Sequence, residues 1–285
     1  MVPAQASPAQ APSAQAPPAQ ESSAQASSGR GGPSGDLREV VRQELVARQL
    51  DEQIVGRFPV GRRLRVLDVG MGGGTQALRL ARAGHQVTGL ERDTETISAV
   101  RAALAGEPEG IRERVRVVEG DGRDTGVHFL PGSFDVVLCH GVLMHVTEPD
   151  PLVAGLARML APDGLLSLLV RNGDAPAMRS GLRGDWAGAL AAFGTTCPAD
   201  DSDAGVRADR LADLTATLAG LGAPLHTWYG VRVFTDAAVD GSHVADTPGG
   251  RPDDLAALLA VEERAGRTDP YRGVASLLHL CGVRG

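Results

Sequence analysis

The stretch between Leu64 and Glu91 constrains the fold of this 285-residue chain more than any other. It reads LRVLDVGMGGGTQALRLARAGHQVTGLE and begins with an apolar run over residues 64–69, which predicts a buried strand. Four glycines within five positions follow, and helical spacing of apolar residues begins at Thr75. A second strand, predicted over residues 86–90, ends at the acidic Glu91. This order of strand, glycine turn, helix and strand is typical of an α/β unit that binds a nucleoside-containing cofactor.

The positions of the glycines separate two kinds of cofactor. A dinucleotide motif, G-x-G-x-x-G, would place its third glycine where Thr75 stands. Asp68 precedes Gly70 by two residues, so the pattern is Asp-x-Gly-x-Gly-x-Gly, which resembles motif I of class I S-adenosylmethionine (SAM) methyltransferases. A carboxylate such as Glu91 at a strand tip can accept hydrogen bonds from both hydroxyls of a ribose. The alternative, a glycine-rich turn without a ligand, is less favoured because so many glycines weaken local structure.

The first 35 residues differ in composition from the rest. Residues 3–27 form a five-residue near-repeat of Ala, Pro, Gln and Ser without large apolar side chains. We therefore expect a disordered tail over residues 1–35 and one folded domain over residues 36–285. The tail lacks the basic start and apolar segment of a secretory signal.

Composition also excludes several classes of function. Three widely spaced cysteines (Cys139, Cys197 and Cys281) argue against a zinc site and fit a reducing cytoplasm, so no metal is predicted. No apolar run approaches membrane-spanning length. The net charge of −7 gives no support for broad, nonspecific nucleic-acid binding, although it leaves room for a local arginine patch.

Strand and helix patterns alternate along the domain. Strands are predicted at residues 64–69, 86–90, 114–118, 136–139, 165–170, 225–234 and 274–283, and helices at residues 36–58, 75–83, 94–105, 151–160, 174–193, 207–221 and 253–264. This alternation predicts a doubly wound, mostly parallel, Rossmann-like α/β sheet. Asp68, Glu91, Asp121 and His140 all fall at carboxyl ends of strands, so we expect them to meet in one site. Apolar residues four apart in 174–193 predict one helical face, with Trp186 in the core or as a cap.

Several segments together resemble the bacterial methyltransferases that esterify the carboxylate of 5-carboxymethoxyuridine in tRNA. They are VRQEL (41–45), LRVLDVG (64–70), AGHQV (83–87), CHGVLMHV (139–146), PDGLLSL (162–168), GVRVF (230–234) and DPYRGVASLLHL (269–280). The resemblance covers almost everything after the tail and implies a seven-stranded sheet with an antiparallel last strand. It also implies SAM contacts from Arg42, Gly70, Met71, Glu91, Asp121, Gly122 and His140, to which the motif adds Asp68 and Gly72.

Four positions depart from that family's pattern. Met71 stands where the family more often has glycine, and Glu91 stands where the close relatives have aspartate. His145 replaces an aromatic residue, and Arg171 replaces a tyrosine beside the retained Asn172. The last two positions face the methyl acceptor in the relatives, so the departures bear on the acceptor.

The chemistry of the acceptor decides which residues the reaction needs. A carboxylate is already ionised at neutral pH and needs no general base, but it needs a cation to hold it, and arginine does this best. Arg232, expected on a strand, and Arg171 are the candidates, ahead of Arg179 and Arg183. A solvated surface position is the alternative for each of them.

A hydroxyl or amine acceptor would instead use a base, for which His140 and His145 are nearby. The expected partner is thus tRNA or, alternatively, a small molecule of specialised metabolism. A third interpretation is a protein of this fold that binds SAM without catalysis.

Overall fold

The computed structural model describes residue 1 and residues 33–193, 206–236 and 252–285 of the chain. Most of the predicted tail, the loops expected at residues 194–203 and 240–250, and Cys197 lie outside the described residues. The first helix begins at Pro33, three residues before the predicted boundary at Asp36. Proline suits a first helical turn because its missing N–H would have no helical acceptor there.

The described residues form seven strands and ten helices. The strands are β1 (Arg65–Val69), β2 (Gln86–Glu91), β3 (Val115–Glu119), β4 (Phe134–His140), β5 (Leu160–Arg171), β6 (Leu225–Val231) and β7 (Leu277–Val283). The helices are α1 (Pro33–Arg57), α2 (Thr75–Arg82), α3 (Thr94–Ala105), α4 (Glu109–Arg112), α5 (Thr125–His128), α6 (Asp150–Met159), α7 (Pro176–Leu182), α8 (Trp186–Ala192), α9 (Leu211–Gly220) and α10 (Pro252–Ala265). Short 3₁₀ turns occur at Gly122–Asp124, Leu143–His145 and Tyr271–Val274.

All seven strands belong to one sheet with the order β3-β2-β1-β4-β5-β7-β6. The pairs among β1 to β5 are parallel, and β7 runs antiparallel to both β5 and β6. The predicted fold class, a doubly wound sheet of seven strands with an antiparallel last strand, is confirmed. The sheet reverses its winding between β1 and β4, which is where α/β sheets of this kind bind ligands.

Alternating side chains of the strands fill a core on each face of the sheet. On one face, Leu67 and Val69 pack with α6 and α9 side chains such as Leu156 and Leu218. On the other face, Val66 packs with apolar residues of α1, α2 and α3, which include Leu50, Leu80 and Val100. Because both faces are covered, β1 and β4 read as nearly continuous apolar runs, as buried parallel strands do. Of the helices that the structure describes, none combines the length and apolarity needed to cross a bilayer.

Two local predictions from the sequence are wrong. Strand β6 ends at Val231, and Arg232 has a left-handed backbone with φ of 64°, so Arg232 does not continue the strand. The predicted helix over residues 174–193 is broken at Gly184, whose φ is 76°, into α7 and α8. The spacing of four residues therefore does not build one buried face, and Trp186 is 74% exposed instead of buried in the core.

Met71, which departs from the family pattern, has a matching gap in the neighbouring strand. Its side chain is buried and lies against Gly89 in the middle of β2. A Cβ atom on Gly89 would overlap the sulfur atom of Met71. The methionine and the glycine therefore form a complementary pair in the core.

Substitution of Gly89 by alanine should destabilise the protein because it overpacks this contact. We expect a loss of about 1–3 kcal/mol in the free energy of unfolding, measured by urea denaturation. The double substitution with Met71→Ala should cost less than the sum of the two single ones, because Met71→Ala makes room for the added methyl group and that methyl group fills part of the cavity. Gly110→Ala in α4 is the matched control, because no atom lies within 4 Å of the added Cβ. Additive costs at positions 71 and 89 would contradict the pairing.

Candidate active site

The glycine turn after β1 has a backbone that other residues rarely adopt. Gly70, Gly72 and Gly74 have φ values of 66°, 50° and 74°. The N–H of Gly70 donates to the carbonyl oxygen of Leu90 at 2.8 Å, which ties the turn to β2. A Cβ on Gly70 would overlap Val142, whereas the space beside Gly72 is open. A ligand can therefore come into direct contact with the backbone of the turn, as the motif predicts.

Glu91 lies at the end of β2 with its carboxylate fixed by the backbone. One oxygen accepts the N–H of Gly72 at 3.2 Å, and the other accepts those of Arg92 at 2.9 Å and Asp93 at 3.1 Å. The carboxylate borders a cavity of about 640 Å³, which we call the large cavity; its lining includes Gly70, Leu90, Asp121, Gly122, His140 and Leu152. A sugar and a purine fit in a space of this size.

Asp121 and Gly122 follow β3 and border the same large cavity. The Asp121 carboxylate accepts from the backbone N–H of Arg123 at 2.9 Å and from its guanidinium at 3.0 and 2.7 Å. These contacts lower the pKa of Asp121 to about 2, so the group stays ionised. Glycine is required at position 122 because a Cβ there would overlap Val69.

Asp68 borders a second, smaller cavity of about 190 Å³ beneath the glycine turn. Its side chain is almost fully buried, and burial, followed by the nearby charge of Glu91, raises its pKa to about 7. Arg42 of α1 borders this small cavity from the opposite side, where its guanidinium is paired with Glu39. Met71 and Gly72 complete the lining on the side of the turn.

A third cavity of about 430 Å³, the arginine cavity, adjoins the other two. Among the residues that the structure describes, four arginines and one carboxylate border it: Arg42, Arg171, Arg179, Arg232 and Asp236. Arg171, at the end of β5, is only 8% exposed. His145 lines both the arginine cavity and the large cavity, within the 3₁₀ turn after β4.

The loop that carries Arg232 is held by a buried acid of α10. The carboxylate of Glu262 accepts the backbone N–H groups of Val233 at 2.7 Å, Phe234 at 3.0 Å and Thr235 at 2.7 Å. Arg232 then faces Asp236, and its Nε donates to the Asp236 carboxylate at 3.0 Å while Nη2 contacts the other oxygen. Burial raises the pKa of Asp236, but the contacts from Arg232, Ser276 and Arg38 outweigh burial, so its net pKa is lowered.

His140 is the one candidate that borders all three cavities. Its Nε2 lies 2.8 Å from the hydroxyl of Ser167 on β5. Burial, the neighbouring His279 and the charge of Arg42 hold the pKa of His140 well below its usual range. His140 is therefore neutral at physiological pH and stands where a reaction between ligands in adjoining cavities would occur.

The residues predicted at strand ends thus meet at one edge of the sheet, and Arg232 and Arg171 border one cavity. Sequence analysis did not identify Asp236, Glu262 or the pair of Ser167 and His279. His279 and Ser167 carried a signal, as parts of the DPYRGVASLLHL and PDGLLSL segments. In the part of the chain that the structure describes, no group of three His, Cys, Asp or Glu side chains could hold a metal ion.

Comparison with known proteins shows that this chain is similar to methyltransferases. The model of a methyltransferase domain matches residues 67–168. A tRNA 5-carboxymethoxyuridine methyltransferase from Escherichia coli (strain K12) is 26% identical over 257 residues, which cover 86% of this chain and 89% of the relative. A ubiquinone biosynthesis O-methyltransferase from Xanthomonas euvesicatoria pv. vesicatoria (strain 85-10) is 36% identical over 108 residues, 38% of this chain and 43% of that relative.

Solved structures share the fold. The magnesium protoporphyrin IX methyltransferase of Synechocystis PCC 6803, solved with bound S-adenosylhomocysteine (SAH), superposes with a TM-score of 0.57 at 18% identity over 90% of each chain. The glycine motif, the strand order and the family match agree with one another. The chain is a SAM-dependent methyltransferase with the class I fold, and its sequence resembles the tRNA 5-carboxymethoxyuridine methyltransferases.

Proposed function

We propose that this methyltransferase esterifies a carboxylate, and that the acceptor is 5-carboxymethoxyuridine in tRNA. The observation that carries the proposal is the arginine cavity, where four arginines and one carboxylate adjoin the cofactor side of the site. Such a cavity favours an anionic acceptor. The particular carboxylate is suggested by the name of the E. coli relative, a tRNA 5-carboxymethoxyuridine methyltransferase whose match extends over most of both chains. Because tRNA is the partner, a cytoplasmic location belongs to the same proposal.

The cofactor would occupy the large and small cavities together. In this arrangement Glu91 holds the ribose, Asp121 and Gly122 lie beside the adenine, and the backbone of Gly70, Met71 and Gly72 follows the chain between them. Asp68 and Arg42 border the small cavity, where the amino acid end would lie. Their opposite charges suit the ammonium and the carboxylate of that end.

SAM supplies a methyl group on a sulfonium, and the acceptor oxygen uses an electron pair to form the O–C bond as the C–S pair passes to sulfur, which gives a methyl ester and SAH. The protein needs to hold the two reactants in line. His140 is a poor base, because its lowered pKa disfavours proton uptake. This suits an acceptor that arrives ionised and argues against a neutral hydroxyl.

Arg232 is the cation that we place beside the acceptor carboxylate. A guanidinium has five N–H donors, and the contact with Asp236 uses the edge formed by Nε and Nη2. Asp236 thereby fixes the plane of the guanidinium, and the Nη1 edge points away from Asp236. Arg171, at the end of β5, is the second candidate for the same role.

A small-molecule acceptor is the alternative, favoured by the 36% identity to a ubiquinone biosynthesis O-methyltransferase over 108 residues. One experiment separates the two: labelled SAM with tRNA that carries 5-carboxymethoxyuridine, beside the same tRNA with unmodified uridine. We expect transfer only to the first. If neither RNA gains a methyl group while the protein binds SAM, the small-molecule acceptor replaces tRNA in the proposal.

The assignment of the ribose to Glu91 predicts the effect of removing its carboxylate. Loss of a hydrogen bond to a charged group costs about 1.5–3 kcal/mol, so Glu91→Ala should weaken SAM and SAH binding by roughly ten- to a hundred-fold in calorimetry. Glu119→Ala is the matched control, because Glu119 pairs with Glu91 in the sheet register but does not line the large cavity. Equal affinities of the two variants would refute the assignment.

The raised pKa of Asp68 predicts that SAM affinity depends on pH. In the free protein its pKa is raised to about 7, and a cationic ligand nearby favours the ionised form and so lowers that pKa. Binding then releases a proton, and affinity is full above pH 7 and falls as the pH drops below it. We expect roughly ten-fold weaker binding at pH 6 than at pH 8 by calorimetry. In Asp68→Asn this dependence should disappear; if it persists unchanged, another group is responsible.

Arg232→Lys tests the acceptor contact. Lysine keeps the charge but not the fork, so kcat/KM for the carboxylate-bearing tRNA should fall roughly ten- to a hundred-fold while SAM affinity stays unchanged. The control is Arg38→Lys, because Arg38 also pairs with Asp236, at 3.4 Å, but does not line the arginine cavity. Wild-type kinetics for Arg232→Lys would place Arg232 outside the acceptor site.

A further inference from the structure

A chain of four polar side chains crosses the sheet and ends at His140. It begins on α1, where Gln49 Oε1 lies 2.7 Å from Nδ1 of His279 on β7. His279 Nε2 lies 2.7 Å from the hydroxyl of Ser167 on β5, and this hydroxyl lies 2.8 Å from His140 Nε2 at the tip of β4. The two imidazole rings are 5.7 Å apart, edge to face.

This chain lies in an apolar part of the core. Gln49, Ser167 and His279 have no exposed surface. In the sheet, Ser167 stands beside Leu138 of β4 and Cys281 of β7. Buried polar groups are costly unless each is hydrogen-bonded. Here every link of the chain is bonded to the next, while Nε2 of Gln49 has no hydrogen-bond partner among the described residues. Apolar residues at these positions would avoid the cost of burying polar groups. The presence of a continuous polar chain here therefore indicates a functional role.

The donors and acceptors along the chain can be assigned from its far end. In the structure Gln49 turns its amide oxygen, and not its amide nitrogen, toward His279. An amide oxygen only accepts, so in this orientation His279 donates from Nδ1 to Gln49, and its Nε2 carries a lone pair. The hydroxyl of Ser167 therefore donates to His279 and accepts from Nε2 of His140. His140 is then neutral, with its proton on Nε2 and a lone pair on Nδ1.

We infer that Gln49, His279 and Ser167 are positioning residues, which hold His140 as a neutral Nε2–H tautomer so that its Nδ1 accepts from the cationic cofactor. The inference rests on the proposed cofactor site and not on the identity of the acceptor. His140 borders both cofactor cavities and the arginine cavity. A lone pair there attracts the polarised C–H groups of a sulfonium methyl, whereas an imidazolium would repel the sulfonium.

The burial of the chain supports the same state. Burial lowers the pKa of His279 to about 3, and burial together with His279 and Arg42 holds the pKa of His140 well below its usual range. Neither ring takes up a proton at physiological pH, so the sequence of donors is not reversed by titration. SAH lacks the sulfonium charge, and the lone pair should therefore matter more for SAM than for SAH.

The test compares Ser167→Ala with Cys281→Ala. The two residues are directly opposite in the β5–β7 register, both are fully buried, and each substitution removes one heavy atom. Only Ser167 contacts His140, whereas Cys281 touches the chain through a weak contact of its Sγ with His279 Nε2 at 3.7 Å. Imidazole ¹⁵N shifts of the cofactor-free protein report the tautomer, and calorimetry reports SAM and SAH affinities. In wild type we expect His140 Nε2 protonated and Nδ1 bare. Ser167→Ala should mix the tautomers and reduce the preference for SAM over SAH by about two- to ten-fold, while Cys281→Ala keeps both.

Gln49→Leu provides a second variant in case Ser167→Ala does not fold. It removes the acceptor of His279 at the far end of the chain, and it should also mix the His140 tautomers. A wild-type His140 protonated on Nδ1 would overturn the inference. If Ser167→Ala and Cys281→Ala both weakened the binding of SAM and SAH by equal factors, the chain would have only a structural role. Failure of wild type to bind SAM would refute the proposed cofactor site, and the tautomer measured without cofactor would still decide the state of His140.

Discussion

The contact between the Glu91 carboxylate and the N–H of Gly72 joins the two strands on which the cofactor side depends. Because β1 and β2 pair in parallel, their carboxyl ends reach the same edge of the sheet, and the turn after β1 comes within 3.2 Å of the acid that ends β2. The same carboxylate fixes the backbone that leads into α3 through Arg92 and Asp93. Asp68 is buried behind this turn, and its raised pKa follows from that burial and from Glu91.

The proposed acceptor side depends on a second carboxylate that is far from it in sequence. Glu262 of α10 satisfies three consecutive N–H groups of residues 233–235, where β6 has already ended. This support permits Arg232 to adopt φ of 64°, a conformation that costs energy for a residue with a Cβ. The reversal brings Asp236 and Arg232 together at the rim of the arginine cavity. Both sides of the site are thus shaped by an acid that binds backbone amides.

The sequence predicts the features that depend on local patterns and misses those that depend on contacts between residues distant in sequence. Local apolar runs that end in polar residues are visible in a sequence. They predict the strands and the convergence of the polar residues at strand ends, which are Asp68, Glu91, Asp121 and His140. The backbone of Arg232 depends on an acid 30 positions further on, and His140 depends on Gln49 through a contact that spans 230 residues. Trp186 was misplaced because a glycine at positive φ redirected a helix whose spacing looked continuous.

Negative charges lie on one side of the site and positive charges on the other, and neighbouring groups weaken the charge on each side. Asp68, Glu91 and Asp121 border the large and small cavities, and arginines border the arginine cavity, so the proposed cationic cofactor and anionic acceptor would each meet opposite charge. In the proposed reaction both of those charges decrease as the methyl group moves. A site that held full charges too strongly would stabilise the reactants more than the transition state and slow the step. The pairing of Arg232 with Asp236 and the raised pKa of Asp68 both weaken such binding, and neutral His140 adds no charge between them.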